Sequence, residues 1–599
     1  MPALAVPRLT GTPSYDETMT AEGSSSRQGT SRGGRFRWAF PVAIVGAACA
    51  VAAAAGWHNS ATNDEPYHTL AAFTYVHDGH GDLNVEHPPL VKLAAGAALL
   101  PLHLRGTVTP PVHRLSVLSE EVRRFLYFNT VPAETILRAA RMPQLVFLAL
   151  LLAGVYAWSR WAFGWPAALL ATVAVACQPL VLGHAFVVHT DVASAAGWTW
   201  SFFLLHRWLV GRSAGWLPFG AVLGLALLVK FSDVYIVPLA AVAVLVTVLR
   251  TGRRAELARF AGACAVALAI VIAGMAIPLR NGDVQEERET IAATLHLWPG
   301  TAGIVDRLEE VAEVSRPLAH YALGLAYVWQ TNIHGQGINF FFGRTSVEGF
   351  TWYFPAALVL KTSLPFLVLA GVGLVGTVRQ RATVDLALLL VVAYYLLISL
   401  GTSYNIGARH LMPILPLLAM VGAHHAAALA RPFRMGLVAC MAAPALLGFP
   451  HYIAQFNVLV GGAQRGARLL NDSNLDWGQD WARLACEARQ NGWAPMAYVY
   501  LGAGDPNHDM PRAVDAIAAA TLPKAGYVAV SSYAATVGVP YLEAFRYRAE
   551  AARLATLLAL VHSDGAPVGN VGHTITVYRL PPEGQSKMKN ERDGLEESN

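Results

Sequence analysis

Charge is scarce in this chain. Of 599 residues only 14% are Asp, Glu, Lys or Arg, and 54% are hydrophobic, whereas roughly a quarter of an ordinary soluble domain is charged. With a mean hydropathy of +0.41, that scarcity argues against a soluble enzyme and for a polytopic membrane protein. The formal net charge of +5 is small for the length. No basic stripe interleaved with aromatics is present, so nucleic acid is not expected as a partner. Cysteine is equally thin: Cys49, Cys177, Cys264, Cys440 and Cys486 are scattered, four of them inside apolar runs. Without a CxxC or any paired spacing, neither a disulfide framework nor a thiolate metal site is supported.

Long apolar runs are what the chain has instead. Residues 1–36 are rich in Ser, Gly, Thr and Arg and read as a disordered tail. Arg27, Arg32, Arg35 and Arg37 then precede a first apolar run over 38–57, read as a retained anchor rather than a cleaved signal. Further runs lie near 143–160, 163–182, 192–210, 215–231, 233–250, 258–278, 353–378, 384–401, 409–429 and 434–452. Together they amount to about eleven spans.

Orientation follows from basic residues. With the N-terminus inside, the inner connections are those near Arg160, Arg207 to Arg212, Arg250 to Arg254, Arg379 to Arg381 and Arg431 to Arg434, and each carries Arg. The outer face then receives the loops 58–142 and 279–352 and everything after the last span. Leu90–Leu104 and Ser315–Gln330 are apolar but flanked by polar residues, which suits helices lying in the interface. The expected architecture is an α-helical polytopic membrane protein. Its membrane unit covers 37–454, a small soluble α/β domain follows at 455–583, and 584–599 form a polar tail. Strands are expected at 497–501, 527–531 and 573–580, and a helix at 481–490.

The chemistry gathers in 63–92, NDEPYHTLAAFTYVHDGHGDLNVEHPPLVK. Asp64 and Glu65 sit just beyond an apolar run, where ionised groups are costly unless used. A carboxylate there suits a general base, with a solvated loop edge as the plain alternative. Pro88 and Pro89 fix the approach to a helix and would hold His87 and Lys92 near the interface. Arg141, Lys230, Lys361, Arg409 and His410 are basic residues at or inside span ends. A lipid phosphate would partner them naturally, with snorkelling to the interface as the competing explanation. Asp191 is a lone acid at an outer span end, equally suited to orienting a sugar hydroxyl or a metal and to capping a helix. His68, His77, His80 and His87 have the residue type for a divalent metal, but their spacing matches no ligand motif, so no cofactor is assigned.

Taken in order, DEPYH…EHPPLVK, AARMP, HTD, GFTWYFPAALVLKTSLP, NIGARHLMPILP and DSNLDWGQD resemble the bacterial protein mannosyltransferase-like group. These are phospholipid carrier-dependent enzymes of glycosyltransferase family 39, with the GT-C fold. The resemblance implies an inverting transfer from a polyprenyl-phosphate-linked sugar to an acceptor hydroxyl of a glycan, lipid or protein, on the outer face of a bacterial inner membrane. It implies Asp64 as general base, Glu65 as a donor or acceptor ligand, and Asp191 as the acid of the second outer loop. Arg141, Lys361 and Arg409 match positions near the carrier phosphate, with Lys230 and His87 less closely placed. The loop 279–352 is too short for a β-trefoil insert, and DSNLDWGQD has no settled role. A transporter or flippase for a lipid-linked sugar is the rival class. It would place charges at midplane on broken helices, often with internal repeats, and no repeat is visible here.

Overall fold

The computed structural model describes residues 32–106, 115–211, 215–296, 298–335, 337–519, 521 and 526–581. The tails expected at 1–36 and 584–599 lie outside them, except that 32–36 open the helix Arg32–Gly56. The chain divides into a leading unit up to Phe40 and a unit from Pro41 onward that carries everything below.

Every apolar run named above is helical, but most of them are not single uninterrupted helices. Among the described residues four helices are long and apolar enough to cross a membrane: Ala39–Gly56, Ala133–Phe163, Phe231–Thr251 and Ala255–Ala276. A fifth span results if Tyr353–Lys361 and Leu364–Gln380, which meet at 115°, are taken as one. The other runs are shorter or interrupted helices, and the interruptions fall at polar residues. Thr362 and Ser363 are extended at the bend, and Pro365 in the first turn beyond cannot continue the helix before it. Lys230 is likewise extended (φ −148°, ψ 137°), between the helices Trp216–Leu227 and Phe231–Tyr235. The run at 409–429 splits into a 3₁₀ stretch, Ala408–Ile414, and the helix Leu415–Ala426. Each break removes a length of regular helix and turns a polar side chain inward.

The helix Asp191–Leu209 is buried along most of its length and packs on Gln144–Phe163 and Trp216–Leu227 around Trp158 and Trp198. Gly220 and Gly224, one turn apart, let Trp216–Leu227 press onto Ala255–Ala276. A Cβ at either would come within 2.6 or 2.8 Å of partner atoms. Close approach through small residues is the usual way apolar helices associate where no water drives them together.

After the helix Arg431–Leu447 the chain becomes a mixed α/β unit. A small hairpin, β1 (Asn339–Phe341) with β2 (Arg344–Ser346), precedes it in sequence. Five strands, β3 (Met496–Val499), β4 (Val514–Asp515), β5 (Gly526–Ser531), β6 (Ala566–Val571) and β7 (Ile575–Leu580), form one sheet in the order β4-β3-β5-β7-β6. The pairs β3–β4 and β3–β5 are parallel, β5–β7 and β6–β7 antiparallel. Alternation along β5 builds two cores: Val528 and Val530 face Leu554, Leu557 and Val561, while Ala529 packs with Trp481 and Leu484. The expected strands and the helix Trp481–Asn491 are present. β4, β6 and the helices Ser532–Ala544 and Arg548–Ser563 are additions.

Candidate active site

The adjacent carboxylates have opposite environments. Asp64 precedes the helix Glu65–His77, so one residue of backbone turns the two side chains apart. Glu65 is fully buried. Its Oε1 accepts from Arg141 Nε (2.7 Å) and Val188 N–H (3.0 Å), and its Oε2 from Arg141 Nη2 (2.6 Å) and Thr62 N–H (2.9 Å). No lone pair is left for a substrate. The Asp64 side chain remains 31% exposed and meets Arg409 Nη2 at 3.3 Å and His189 Nε2 at 3.5 Å.

Arg409 joins the chemistry-bearing residues of four separate segments. It rises from the 3₁₀ stretch Ala408–Ile414, and its Nη1 lies against His189 and 3.3 Å from Asp191 Oδ2. Asp191 Oδ1 accepts from Lys230 Nζ (2.6 Å), and that ammonium stands 3.2 Å from His410 Nδ1. Asp64, Asp191, Lys230, Arg409 and His410 therefore form one continuous polar chain inside an otherwise apolar molecule. His410 Nε2 is buried without a hydrogen-bond partner. Burial alone would raise the Asp64 carboxyl. The His189 hydrogen bond and the charges of Arg409, His189 and His68 outweigh it and hold the group well below the usual carboxylate range.

The histidines divide differently from the sequence expectation. His77 pairs with Asp78, and His80 lies near Glu286, both away from Asp64. His68 and His87 instead meet His189 edge to face, with ring centroids 5.3–5.4 Å apart, and burial depresses the His68 and His87 imidazoles. A ligand nitrogen from each lies within 4.8 Å of the others. The residue types suit a divalent metal. The surroundings do not, because His189 is committed to Asp191 and Asp64 and stands against the Arg409 guanidinium. No step below is routed through an ion.

Three cations expected at a carrier phosphate are occupied elsewhere. Arg141 spends all its N–H groups on Glu65 and on the Gly56, Asn59 and Ser60 carbonyls. Lys92 Nζ donates to Tyr75 Oη, to Asn84 and to the His87 carbonyl, so it fixes the loop that presents His87. Lys361 Nζ caps the carbonyls of Ile453, Gln455 and Asn474 at 2.5–2.9 Å, beside the Phe456 ring. Each is a buried charge whose donors are taken up inside the protein, Arg141 by Glu65 and main-chain carbonyls, Lys92 by Tyr75, Asn84 and the His87 carbonyl, and Lys361 by main-chain carbonyls, so each ties segments of chain together.

The DSNLDWGQD segment turns out to belong to the site. Ser473 Oγ accepts from Arg409 Nε (2.9 Å), and Asn474 Oδ1 accepts from the Ala408 N–H (2.9 Å). The Arg409 guanidinium lies over the Trp477 ring, 4.4 Å from its centroid. Trp477 O and Gln479 O accept from the Asn63 and Ser60 N–H groups, which pins the strand of chain leading into Asp64. Toward the α/β unit, Asp476 Oδ2 accepts from Ser531 Oγ and Tyr533 N–H, and Asn471 Nδ2 donates to Ser532 O. Gly407 admits this strap, since a Cβ there would sit 2.1 Å from Ser473 Oγ. Asp472, held at φ +60°, faces Arg409, Asp64, Tyr404 and Tyr533, and burial pushes its carboxyl up to about 7 against the opposing pull of Arg409. Sequence reasoning passed over His189, Ser473, Trp477 and Tyr404. Its one available signal was the polar density of HTD and DSNLDWGQD.

Comparison with known proteins gives the following. No curated protein matches. Among solved structures, ArnT from Cupriavidus metallidurans bound to undecaprenyl phosphate is 13% identical, with a TM-score of 0.46 over 90% of this chain and 97% of that one. AglB from Archaeoglobus fulgidus, in complex with an inhibitory peptide and a dolichol-phosphate, is 14% identical, with a TM-score of 0.45 over 91% and 75%. The arabinofuranosyltransferase AftD from Mycobacteria is 12% identical, with a TM-score of 0.37 over 92% and 40%. Likenesses this loose settle no chemistry. The resemblance drawn from the motifs is met independently in sequence: residues 133–276, which hold Arg141, Asp191 and Lys230, match the family model of dolichyl-phosphate-mannose-protein mannosyltransferases.

Proposed function

We propose that this protein is a membrane glycosyltransferase that moves a sugar from a polyprenyl-phosphate donor to an acceptor hydroxyl, with inversion at the anomeric carbon. The observation that carries the reading is the sharing of Arg409 between Asp64 and Asp191, with Lys230 on the far side of Asp191. Asp64 accepts the proton of the acceptor hydroxyl while that oxygen forms a bond to the anomeric carbon. The bond from that carbon to the phosphate oxygen breaks on the opposite face, and its electron pair leaves with the polyprenyl phosphate. A phosphate leaving group needs charge stabilisation rather than protonation, which Arg409 and Lys230 supply. Asp191 holds both cations in place.

The family-model match over 133–276 supports a lipid-linked donor. The arginine pattern of the connections supports an N-terminus in the cytoplasm, with the site and the α/β unit on the outer face. Hexose and pentose donors both fit this reading. The test is incubation of the purified chain in nanodiscs with polyprenyl-phosphate sugars and a cell-envelope fraction as the source of acceptor hydroxyls. An enzyme releases polyprenyl phosphate, Asp64→Asn abolishes the release, and a flippase leaves every donor intact.

A further inference from the structure

A second cluster of metal-ligating side chains lies at the opposite end of the helix that follows Arg409. Leu415–Ala426 has 12 residues, about 18 Å of helix, and its last turn carries His424 and His425. Both rings converge on Asp385, in the first turn of the helix Thr383–Ser399. His424 Nδ1 and His425 Nε2 each lie 2.8 Å from the same oxygen, Asp385 Oδ2. The Asp385 side chain is fully buried, and its other oxygen, Oδ1, has no hydrogen-bond partner.

Hydrogen bonds alone leave this arrangement poorly served. Two imidazoles crowd one oxygen of a buried carboxylate while the other is orphaned, a state that costs free energy whenever the acid is ionised. A single cation at the point where the three groups meet would resolve it. The ligand atoms already lie within 4.8 Å of one another, and the rings are held in orientation. Phe163 stacks on His424 at 4.3 Å between centroids. Gly376 of Leu364–Gln380 presents bare backbone to His425, where a Cβ would come within 2.3 Å of the ring. Fixed rings are what a metal's supporting shell provides. Unlike the histidines near Asp64, this cluster has no arginine in ion-pair contact with it among the described residues.

We propose that Asp385, His424 and His425 bind one divalent transition-metal ion of the zinc type, clasping the helices Thr383–Ser399 and Leu415–Ala426 at the end away from Arg409. Two imidazoles and one carboxylate select zinc-like ions over magnesium or calcium, which favour oxygen-only shells. The fourth position lies on the side of His424, whose side chain is 34% exposed.

The test is metal loading of the full chain in nanodiscs, stripped with chelator and then titrated with Zn²⁺, with Co²⁺ as a spectroscopic substitute. Bound metal is counted by mass spectrometry for the wild type, for His424→Gln/His425→Gln, and for His87→Gln as a control on the other histidine cluster. The expected result is one equivalent in the wild type, retained in His87→Gln and lost or weakened at least tenfold in the double variant. Co²⁺ is expected to give the intense visible bands of a four-coordinate site. If the double variant does not fold, the single change at the more exposed His424 is expected to weaken binding and to alter the Co²⁺ spectrum. Equal Zn²⁺ binding by the wild type and these variants, or none by the wild type, overturns the proposal. The readout does not depend on glycosyl transfer.

Discussion

Neighbouring acids with different environments make a sharp experiment. Glu65→Gln keeps the shape of the side chain but leaves Arg141, only 1% exposed, without its counter-charge. Removing one partner of a fully buried, hydrogen-bonded pair costs about 3–5 kcal/mol. Here the amide must also point an NH₂ at either the Val188 N–H or the Thr62 N–H, both of which now donate to the carboxylate. A fall in Tm of roughly 3 °C follows for a chain of this size, read as thermal unfolding in detergent. Asp64→Asn weakens two contacts, to Arg409 at 3.3 Å and to His189 at 3.5 Å, from a side chain that is 31% exposed, and a partly exposed ion pair is worth at most about 1 kcal/mol. Arg409 keeps Asp191, Ser473 and Trp477, so Tm should scarcely move. Donor turnover should nevertheless fall by a factor of about 10² to 10⁴, the usual contribution of a general base. The reasoning fails if Glu65→Gln unfolds like the wild type while losing transfer, or if Asp64→Asn transfers sugar at a nearly normal rate.

Other consequences can be measured in the same preparations. Trp477→Leu removes the ring beneath Arg409 and should weaken undecaprenyl phosphate binding about 3- to 30-fold, the worth of a partly desolvated cation–π contact, while Trp477→Phe should recover most of it. Ser473→Ala should have a similar effect through the lost Arg409 bond; unchanged binding in both variants would remove the strap from the site. Lys361→Met leaves three carbonyls without a donor and should cost about 3 kcal/mol or more, seen as early proteolysis between the membrane unit and the α/β unit. Because the folded Asp472 titrates near 7, above its unfolded value, the native chain binds this proton more tightly. The stability it contributes is fully present near pH 4 and is lost as pH rises through 7. Asp472→Asn should therefore flatten the profile of Tm against pH in that window, and an unchanged slope would refute the assignment.

The sequence made the helices legible because bilayer-scale apolar runs have few other solutions. It made Asp64, Asp191, Lys230, Arg409 and His410 legible for a related reason: ionisable groups at the ends of such runs must find one another. The same logic could not separate these residues from Arg141, Lys92 and Lys361. Each of those three is costly by the same criterion, but their partners are largely main-chain carbonyls, which leave no mark on composition. Uninterrupted long helices are fewer than apolar runs for a local reason. The polar residues that build the site also interrupt the helices, at Lys230, at Thr362–Ser363 and before Leu415, so an apolar run is longer than the helix it forms. DSNLDWGQD has no settled role in the sequence reading because its contribution lies in where its ends are tied. Ser473 and Trp477 act on Arg409, 64 and 68 positions earlier in the chain, and no local pattern encodes that reach.

The electrostatics of the resting site carry one further implication for the order of events. A base held well below the ordinary carboxylate range is a weak one, since proton transfer is favoured when donor and acceptor are matched. Asp64 owes part of that depression to Arg409, the group proposed to receive the donor phosphate. Both carboxylates lie 3.3 Å from the guanidinium, but Asp191 is 1% exposed and anchored to Lys230, whereas Asp64 is 31% exposed. An arriving phosphate, with more negative charge than either acid, would therefore displace Asp64, while Asp191, Ser473 and Trp477 keep Arg409 where it is. Freed of that pairing, the Asp64 carboxylate becomes more basic in the state where an anomeric carbon is waiting. On the proposed mechanism donor binding is therefore expected to switch on the base, so product-inhibition kinetics should show the donor binding before the acceptor, and random-order kinetics would refute this step.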